Sequence, residues 1–155
     1  MIKRQLLIGI LSFVVAGNLL AFDSVQDSGN WGSDSPAVMS VDGDNVTGAR
    51  LAFGADRGWI SYDIGQKAII DAVIVDAYVP QGAWLAFGYE DNGVQKLLPS
   101  SFRSAITGET TILLQGDRVA TEKLVLVVDG ERADQVEIYS LKMLHRDAQV
   151  FAQNV

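Results

Sequence analysis

Residues 57–78 read RGWISYDIGQKAIIDAVIVDAY, and they carry the clearest secondary-structure signal in the chain. Apolar and more polar residues alternate from 57 to 64, which is the period of a half-buried strand. Gly65 follows, and residues 68–78 have a continuous Val-Ile-Val centre, typical of a strand that is covered on both faces. The sequence therefore predicts two strands here, the first of which ends at Gly65.

Short strands separated by turns continue beyond this stretch. Further strands are predicted over residues 84–89, 110–114, 124–128 and 135–144, the last with a slip near Ser140 that is typical of a β-bulge. The Asn92-Gly93 pair tolerates positive φ at both central positions, as a tight hairpin turn requires. Gly108 and Gly130 bound the later strands. Because no segment has the apolar stripe of a helix, the pattern predicts a β-sandwich or barrel.

The N-terminus has the composition of a secretory signal. Two basic residues near the start precede a mostly apolar run over 6–20, which is short for a membrane span of ~20 residues. Cleavage after Ala21 is expected, a cut after Ala16 also fits, and a single membrane anchor is the alternative. We therefore predict that residues 1–21 are a signal peptide. The remainder is predicted to be a periplasmic or secreted bacterial protein with no stable membrane insertion.

Charge and cysteine content narrow the classes of partner. The chain has 19 acidic and 12 basic side chains, with a formal net charge of −7. Such a surface repels phosphate backbones and anionic lipids, so nucleic acid is not expected as a partner. Divalent cations and neutral ligands are compatible with it. The chain has no cysteine, so neither disulfides nor a cysteine-linked lipid anchor is expected, and stability must come from the core.

The part after the signal has the length of one domain. Residues 22–36 are rich in Ser, Asp and Gly and are predicted to be an extended N-terminal arm, with Trp31 as its one large apolar anchor. The domain itself is predicted over residues 37–145. Residues 146–155 form a C-terminal tail to which the pattern assigns no structure.

Three blocks of sequence occur in the order found in one protein family. They are VDGDNVTG at 41–48, GWISYDIGQKAIIDAVIV at 58–75, and WLAFGYEDNG at 84–93 together with KLVLVVDGERADQVEIYSLKM at 123–143. They resemble the Asp-Gly-Asp-x-x-Thr turn, the Trp-Ile-x-x-Asp-Leu-Gly strand, and the hairpin strand and closing strands of the discoidin, or coagulation factor 5/8 type C, domains. The resemblance covers residues 37–143. It implies an all-β, galactose-binding-domain-like jelly-roll β-sandwich of about eight antiparallel strands, the fold of the family 32 carbohydrate-binding modules.

The family often wraps a structural calcium ion in its Asp-Gly-Asp turn, and the resemblance implies such a site here. Asp42, Asp44 and Thr47 would supply oxygens, and Gln135 would add a neutral oxygen where the family often has an acidic residue. Calcium takes ~6–8 oxygen ligands, so the residue types are suitable. The alternative is a turn whose Asp side chains accept hydrogen bonds from their own backbone amides. A second departure from the family is Ala49, which stands where a Trp is usual.

The resemblance also implies that ligands bind through loops at one end of the sandwich. A sugar site needs an aromatic face for the ring and planar polar groups for the hydroxyls. The candidates are Trp31, Arg50, Arg57, Trp59 and Trp84. For Trp59 the alternative is packing in the core or at an edge. For the two arginines it is a surface ion pair with one of the many acidic residues.

Catalysis has little support in the sequence. The one histidine, His145, follows the last predicted strand and has no nucleophile or zinc-ligand partner at a recognisable spacing. The neighbouring carboxylates Glu90 and Asp91 fall at a hairpin turn, where they lack the burial that a catalytic acid needs. We therefore expect a non-catalytic protein.

Two functions remain open from the sequence. The first is an exported carbohydrate-binding domain whose partner is a glycan. The second is a structural or protein-interaction subunit of a bacterial cell-envelope assembly, whose partner is an envelope protein. A sugar binder should expose aromatic and Arg side chains together in a concave site formed by end loops. A scaffold should instead expose a broad apolar patch or an unpaired strand edge.

Overall fold

The computed structural model describes residues 22–44, 46–114 and 120–147. The predicted signal peptide and the tail from residue 148 lie outside these ranges. The described residues form seven strands: β1 Ser24–Asp27, β2 Arg57–Val79, β3 Ala83–Asp91, β4 Val94–Leu97, β5 Ile106–Leu113, β6 Ala120–Gly130 and β7 Glu137–Asp147. Three short 3₁₀ helices accompany them, at Ala37–Ser40, Pro99–Ser101 and Ala133–Gln135. Within the described part, no helix has the length and hydropathy needed to cross a membrane.

Strand β2 contains both of the strands predicted between residues 57 and 78. It runs for 23 residues without ending at Gly65, so the predicted end is wrong. The reason is that Gly65, with φ of 89°, takes a left-handed backbone conformation inside an irregular stretch of strand. The register with β6 shifts between Asp63 and Ala68. The glycine thus bends the strand, and the chain continues into a second set of partners.

The bend produces a two-layered antiparallel sandwich. The first part of β2 lies between β1 and β6, and β3 and β4 follow, so the first layer has the order β1–β2–β6–β3–β4. The second part of β2 lies between β5 and β7 and forms the second layer. Fully buried side chains from both layers meet in one core, among them Ile60, Tyr62, Val73, Val75, Phe87, Ile112, Leu126 and Ile138. The predicted all-β jelly-roll sandwich is confirmed.

The N-terminal segment is part of the sandwich. β1 pairs with β2 from Ser24 to Asp27, and the Phe22 ring lies 4.9 Å from the ring of Tyr62, measured between centroids. The Tyr62 hydroxyl is buried 2.7 Å from the Ser40 hydroxyl, and burial raises the pKa of Tyr62 well above its ordinary value. Residues 22–36 were predicted to be an extended arm, and the structure places them against the core.

Two local predictions are confirmed by the backbone. Asn92 and Gly93 both have positive φ, 52° and 80°, at the turn between β3 and β4. In the ladder between β2 and β7, Ser140 lies opposite Asp76, whereas Ile138 lies opposite Ala77. One residue is therefore bulged at the predicted slip.

Other strand boundaries differ from the prediction. β5 begins at Ile106, so Gly108, predicted as a boundary, lies inside the strand with φ of 98°. β7 continues to Asp147 and takes the first residues of the predicted tail. Arg146 closes this end by donating two hydrogen bonds to the Asp71 carboxylate, at 2.9 and 2.8 Å. Pairing with β2 thus extends both strands beyond their local sequence signals.

The first testable prediction concerns the core. Phe87→Ala removes a fully buried ring and should lower the free energy of unfolding by about 3–5 kcal/mol, from lost burial and the remaining cavity. Leu113→Ala is the matched control, because Leu113 is 59% exposed and its loss should change stability by less than about 0.5 kcal/mol. Urea unfolding measures both variants. Equal losses in the two would contradict the assigned core.

Candidate functional site

A surface groove of about 660 Å³ lies where the ladder between β2 and β7 ends. Three loop segments form it, at 32–35, 50–53 and 134–137, and Tyr78 adds a wall from the end of β2. We call it the end groove. Its volume falls within the range of about 300–1,000 Å³ that is usual for small-molecule sites.

Hydrogen bonds donated by backbone amides hold the three segments together. The Gly32 amide donates to the Arg50 carbonyl at 2.8 Å, and the Arg50 amide donates to the Ser35 carbonyl at 3.0 Å. The Gly54 amide donates to Asp134 Oδ2 at 2.8 Å, which ties the second segment to the third. The groove is therefore formed before any ligand arrives, and this reduces the entropy cost of binding.

The end groove has an exposed aromatic side chain at its rim. Phe53 is 100% exposed, and Tyr78 is 40% exposed. Phe53 lies in a tight turn in which the Ala55 amide donates to the Ala52 carbonyl at 3.0 Å and Gly54 has φ of 88°. This turn holds the ring away from the core. The apolar surface of the ring is therefore left in water, where it is available to a ligand that packs on an aromatic face.

Charged side chains line the same groove. Arg50 Nη1 lies 3.7 Å from Glu137 Oε1, and the Tyr139 hydroxyl donates to the same oxygen at 3.1 Å. Burial, followed by this hydrogen bond, raises the pKa of Tyr139 above its ordinary value. Asp34 and Asp134 also line the groove. The groove thus presents one guanidinium among three carboxylates, a set that can donate to and accept from hydroxyl groups.

The five predicted ligand residues do not come together. Arg50 lines the end groove, and Trp31 does not. Trp31 is partly buried against the core, and its indole N–H donates to the Trp59 carbonyl at 3.2 Å. Trp59 is half-buried on β2, opposite the buried Val127 of β6. Packing was the alternative considered for it. The other two candidates lie on the outer face of the first layer.

On that face, Arg57 forms an ion pair with Asp129 of β6. Trp84 lies on β3 directly opposite Asp129, and its ring contacts the Phe102 ring. The sequence analysis missed Phe53, Tyr78 and Phe102. For Phe53 a signal existed, because it is the one large apolar residue in the loop of small residues between Leu51 and Arg57.

The predicted calcium turn is hydrogen-bonded to itself. The Asp44 amide donates to Asp42 Oδ1 at 2.9 Å, and the Val46 amide donates to Asp44 Oδ1 at 2.8 Å. The Thr47 hydroxyl donates to Asp44 Oδ2 at 3.0 Å. The backbone amide of Val46, followed by the Thr47 hydroxyl, lowers the pKa of Asp44 below its ordinary value.

The fourth predicted calcium ligand is also occupied. Gln135 Oε1 accepts a hydrogen bond from Arg132 Nη2 at 2.7 Å, which brings a positive charge beside it. No group of three or more His, Cys, Asp or Glu side chains suited to a metal occurs among the residues that the structure describes. As arranged, these oxygens accept hydrogen bonds, and a calcium ion would compete with those bonds for them. Calcium binding stays a prediction.

Comparison with solved structures identifies proteins of the same fold. No protein-family model and no curated protein sequence matches the chain. The family 32 carbohydrate-binding module of C. perfringens NanJ, in complex with galactose, has a TM-score of 0.63 and 12% identity, covering 79% of this chain and 93% of that one. Chitosan-binding module 1 of a Paenibacillus sp. IK-5 chitosanase/glucanase has a TM-score of 0.61 and 17% identity, covering 82% and 98%.

The family 32 module of AlyQ, in complex with 4,5-unsaturated mannuronic acid, has a TM-score of 0.60 and 15% identity, covering 81% of this chain and 96% of that one. At such identities the likeness concerns the fold. It confirms the discoidin-like, galactose-binding-like sandwich that the three sequence blocks predicted.

The second testable prediction concerns the pKa of Asp44. Thr47→Val keeps the shape of the side chain but removes the hydroxyl donor, so the pKa should rise towards its ordinary value without reaching it, because the Val46 amide remains. A lowered pKa in the folded state stabilises the protein above the pKa of the unfolded chain. This contribution to the free energy of unfolding is lost as the pH falls through the pKa of the folded state. It should be smaller in the variant than in the wild type.

NMR titration of the side-chain carboxyl carbons measures this pKa. Thr111→Val, an exposed threonine on β5, is the control and should leave the Asp44 pKa unchanged. An Asp44 that titrates identically in the wild type and in Thr47→Val would disprove the hydrogen bond from Thr47 to Asp44.

The third testable prediction is calcium binding at the same turn. If Asp42 and Asp44 hold the ion, millimolar calcium should raise Tm and EDTA should lower it, because a ligand that binds only the folded state stabilises it. Asp44→Ala should abolish both shifts. Differential scanning calorimetry measures them, and an unchanged melting curve in calcium would remove the site and leave the hydrogen-bonded turn.

Proposed function

We propose that this protein is a non-catalytic carbohydrate-binding domain that holds a glycan in the end groove. The observation that carries the proposal is the fully exposed ring of Phe53 on a preformed groove that also contains Arg50 and Glu137. This combination, an exposed aromatic and an arginine in one concave site made by end loops, is the one that distinguishes a sugar binder from a scaffold.

The chemistry of a sugar matches these side chains. A pyranose ring has an apolar face of C–H groups, which stacks on an aromatic ring, and an edge of hydroxyl groups. Phe53 offers the aromatic surface, and Tyr78 offers an apolar wall that ends in a hydroxyl. The Arg50 guanidinium and the Glu137 carboxylate, held 3.7 Å apart, supply a planar donor beside a planar acceptor.

The charges in the groove favour a neutral sugar. Asp34, Asp134 and Glu137 outnumber Arg50, so a uronic acid or another anionic sugar would meet repulsion. Two structures of this fold hold saccharides in their solved complexes, galactose in one and an unsaturated mannuronic acid in the other. They support a saccharide as the class of ligand. The choice of a neutral sugar rests on the residues of this chain.

The proposal includes a location outside the cytoplasm, in the periplasm or the medium. The sequence signal at residues 1–21 supports it. Glycans of cell walls and of the surroundings are the polymers that such a protein would meet.

A second function, docking on an envelope protein, has one observation in its favour. β4 and β5 each pair with a single strand among the described residues, and each carries an exposed apolar side chain, Val94 on β4 and Leu113 on β5. An open edge of this kind can accept a strand from a partner. A pull-down from envelope extract, with Leu113→Lys as the variant that should lose the partner, tests this alternative.

The fourth testable prediction follows from the groove. Phe53→Ala should weaken sugar binding roughly 3- to 10-fold, the effect of one lost aromatic contact, without changing Tm, because the ring is outside the core. Arg50→Gln should weaken binding comparably by removing the charged donor. A glycan array identifies the sugar, and isothermal titration calorimetry measures the affinities.

The control is Leu113→Ala, which removes an exposed apolar side chain of β5 and should bind sugar as the wild type does. The proposed function would be wrong if no neutral glycan on the array bound, or if Phe53→Ala and Arg50→Gln both kept the wild-type affinity.

A further inference from the structure

A row of side chains crosses the outer face of the first layer. Arg57 of β2 and Trp84 of β3 both lie directly opposite Asp129 of β6, one on each side of it. Residues directly opposite one another in antiparallel ladders lie on the same face, about 5 Å apart. Their neighbours Leu85 and Val128 are fully buried in the core, so the row faces away from it. It spans about 10 Å, two strand spacings.

Phe102 extends this row beyond β3. The chain next to it pairs with β3 through Arg103, whose amide and carbonyl each bond to Leu85 at 2.9 Å. The Phe102 and Trp84 rings lie 4.9 Å apart between centroids, tilted by 41°. Phe102 is 42% exposed, and Trp84 is half-buried. The result is an apolar surface of two rings beside the ion pair of Arg57 and Asp129.

The position of Phe102 is fixed by hydrogen bonds on both sides. The Ser101 hydroxyl is fully buried, accepts the Phe87 amide proton at 2.8 Å and lies 2.7 Å from the Leu98 carbonyl oxygen. On the other side, Arg103 Nη1 donates to the Phe102 carbonyl at 2.8 Å. Because the backbone on both sides of Phe102 is already held, a ligand would not have to order this segment on binding.

The side chains match a neutral pyranose. Its C–H face would stack on the two rings, and its hydroxyls would donate to Asp129 and accept from Arg57. The charges of these two residues cancel, so neither an anionic nor a cationic ligand is favoured. The surface is also small: two partly exposed rings offer on the order of 200 Å² of apolar area. A stable protein interface needs about 800 Å² on each partner.

From these observations we propose a second saccharide-binding surface, the outer platform, formed by Arg57, Trp84, Phe102 and Asp129. It shares no residue with the end groove, and its occupant is one neutral pyranose unit of a glycan. Two surfaces on one chain would let the protein hold a polysaccharide at two points, which raises the overall affinity without a tighter single site.

NMR titration of the uniformly ¹⁵N-labelled protein separates the two surfaces. The probes are galactose, glucose, mannose and N-acetylgalactosamine, with short neutral oligosaccharides of each. The Trp84 indole N–H signal reports on the outer platform, and the Gly54 amide signal reports on the end groove. We expect at least one of these sugars to shift the Trp84 signal in a saturable way.

Phe102→Leu keeps an apolar side chain but removes the flat ring. It should weaken the affinity read at Trp84 by roughly 3- to 10-fold and leave the affinity read at Gly54 unchanged. Phe53→Ala should weaken the affinity read at Gly54 and leave the affinity read at Trp84 unchanged. Leu113→Ala should leave both affinities unchanged. If Phe102→Leu does not fold, as its amide spectrum would reveal, Asp129→Asn replaces it and should weaken the Trp84 response in the same direction.

The outcomes distinguish this proposal from the proposed function. A Gly54 signal that shifts while Trp84 stays still overturns the outer platform and leaves the end groove standing. The opposite result supports the outer platform and removes the end groove. If neither signal shifts, both the outer platform and the end groove are overturned as sugar sites. Capture of an envelope protein that Phe102→Leu abolishes, with no sugar response at Trp84, overturns the platform by assigning the surface to a protein.

Discussion

The whole sandwich depends on the bend in β2 at Gly65. Among the strands that the structure describes, β2 pairs in both layers, with β1 and most of β6 before the bend and with β5 and β7 after it. Gly65 has a left-handed backbone conformation, and its amide donates a hydrogen bond to the Asp63 carboxylate at 2.8 Å. Together they change the direction of the strand without interrupting it. The apolar faces of the two halves can then meet in one core, which supplies the stability of a chain without disulfides.

The same strand positions both candidate binding surfaces. Arg57, its first residue, belongs to the outer platform, and Tyr78, next to its last residue, lines the end groove. The rings that extend each surface, Phe53 and Phe102, lie in short connections whose backbone is bonded to neighbouring segments. A rigid sheet with function at its ends and in its loops is a general arrangement of β-sandwich binding proteins. In this protein, the arrangement places exposed aromatic rings near ion pairs of an arginine and a carboxylate, groups that are suited to binding a ligand.

The polar turn at Asp42 and Asp44 illustrates how one sequence pattern can satisfy two structures. Oxygen-rich side chains around a glycine suit a cation, but they also suit the amides of their own turn. The structure has the second arrangement, with the Asp44 carboxylate accepting from Val46 and Thr47. Gln135, the neutral residue at the position where an acid often closes the family's site, is bonded to Arg132 instead.

The sequence alone determined the features that depend on residues close together in the chain. The strand period, the positive-φ turn at Asn92-Gly93 and the bulge near Ser140 depend on residues a few positions apart, and the ordered blocks of the discoidin-like pattern gave the fold class. The tertiary structure decided that β2 continues through Gly65, that Trp31 and Trp59 pack rather than project, and that Phe53, Tyr78 and Arg50 line one groove. These outcomes depend on pairing and burial between segments far apart in the chain, which a local pattern does not encode.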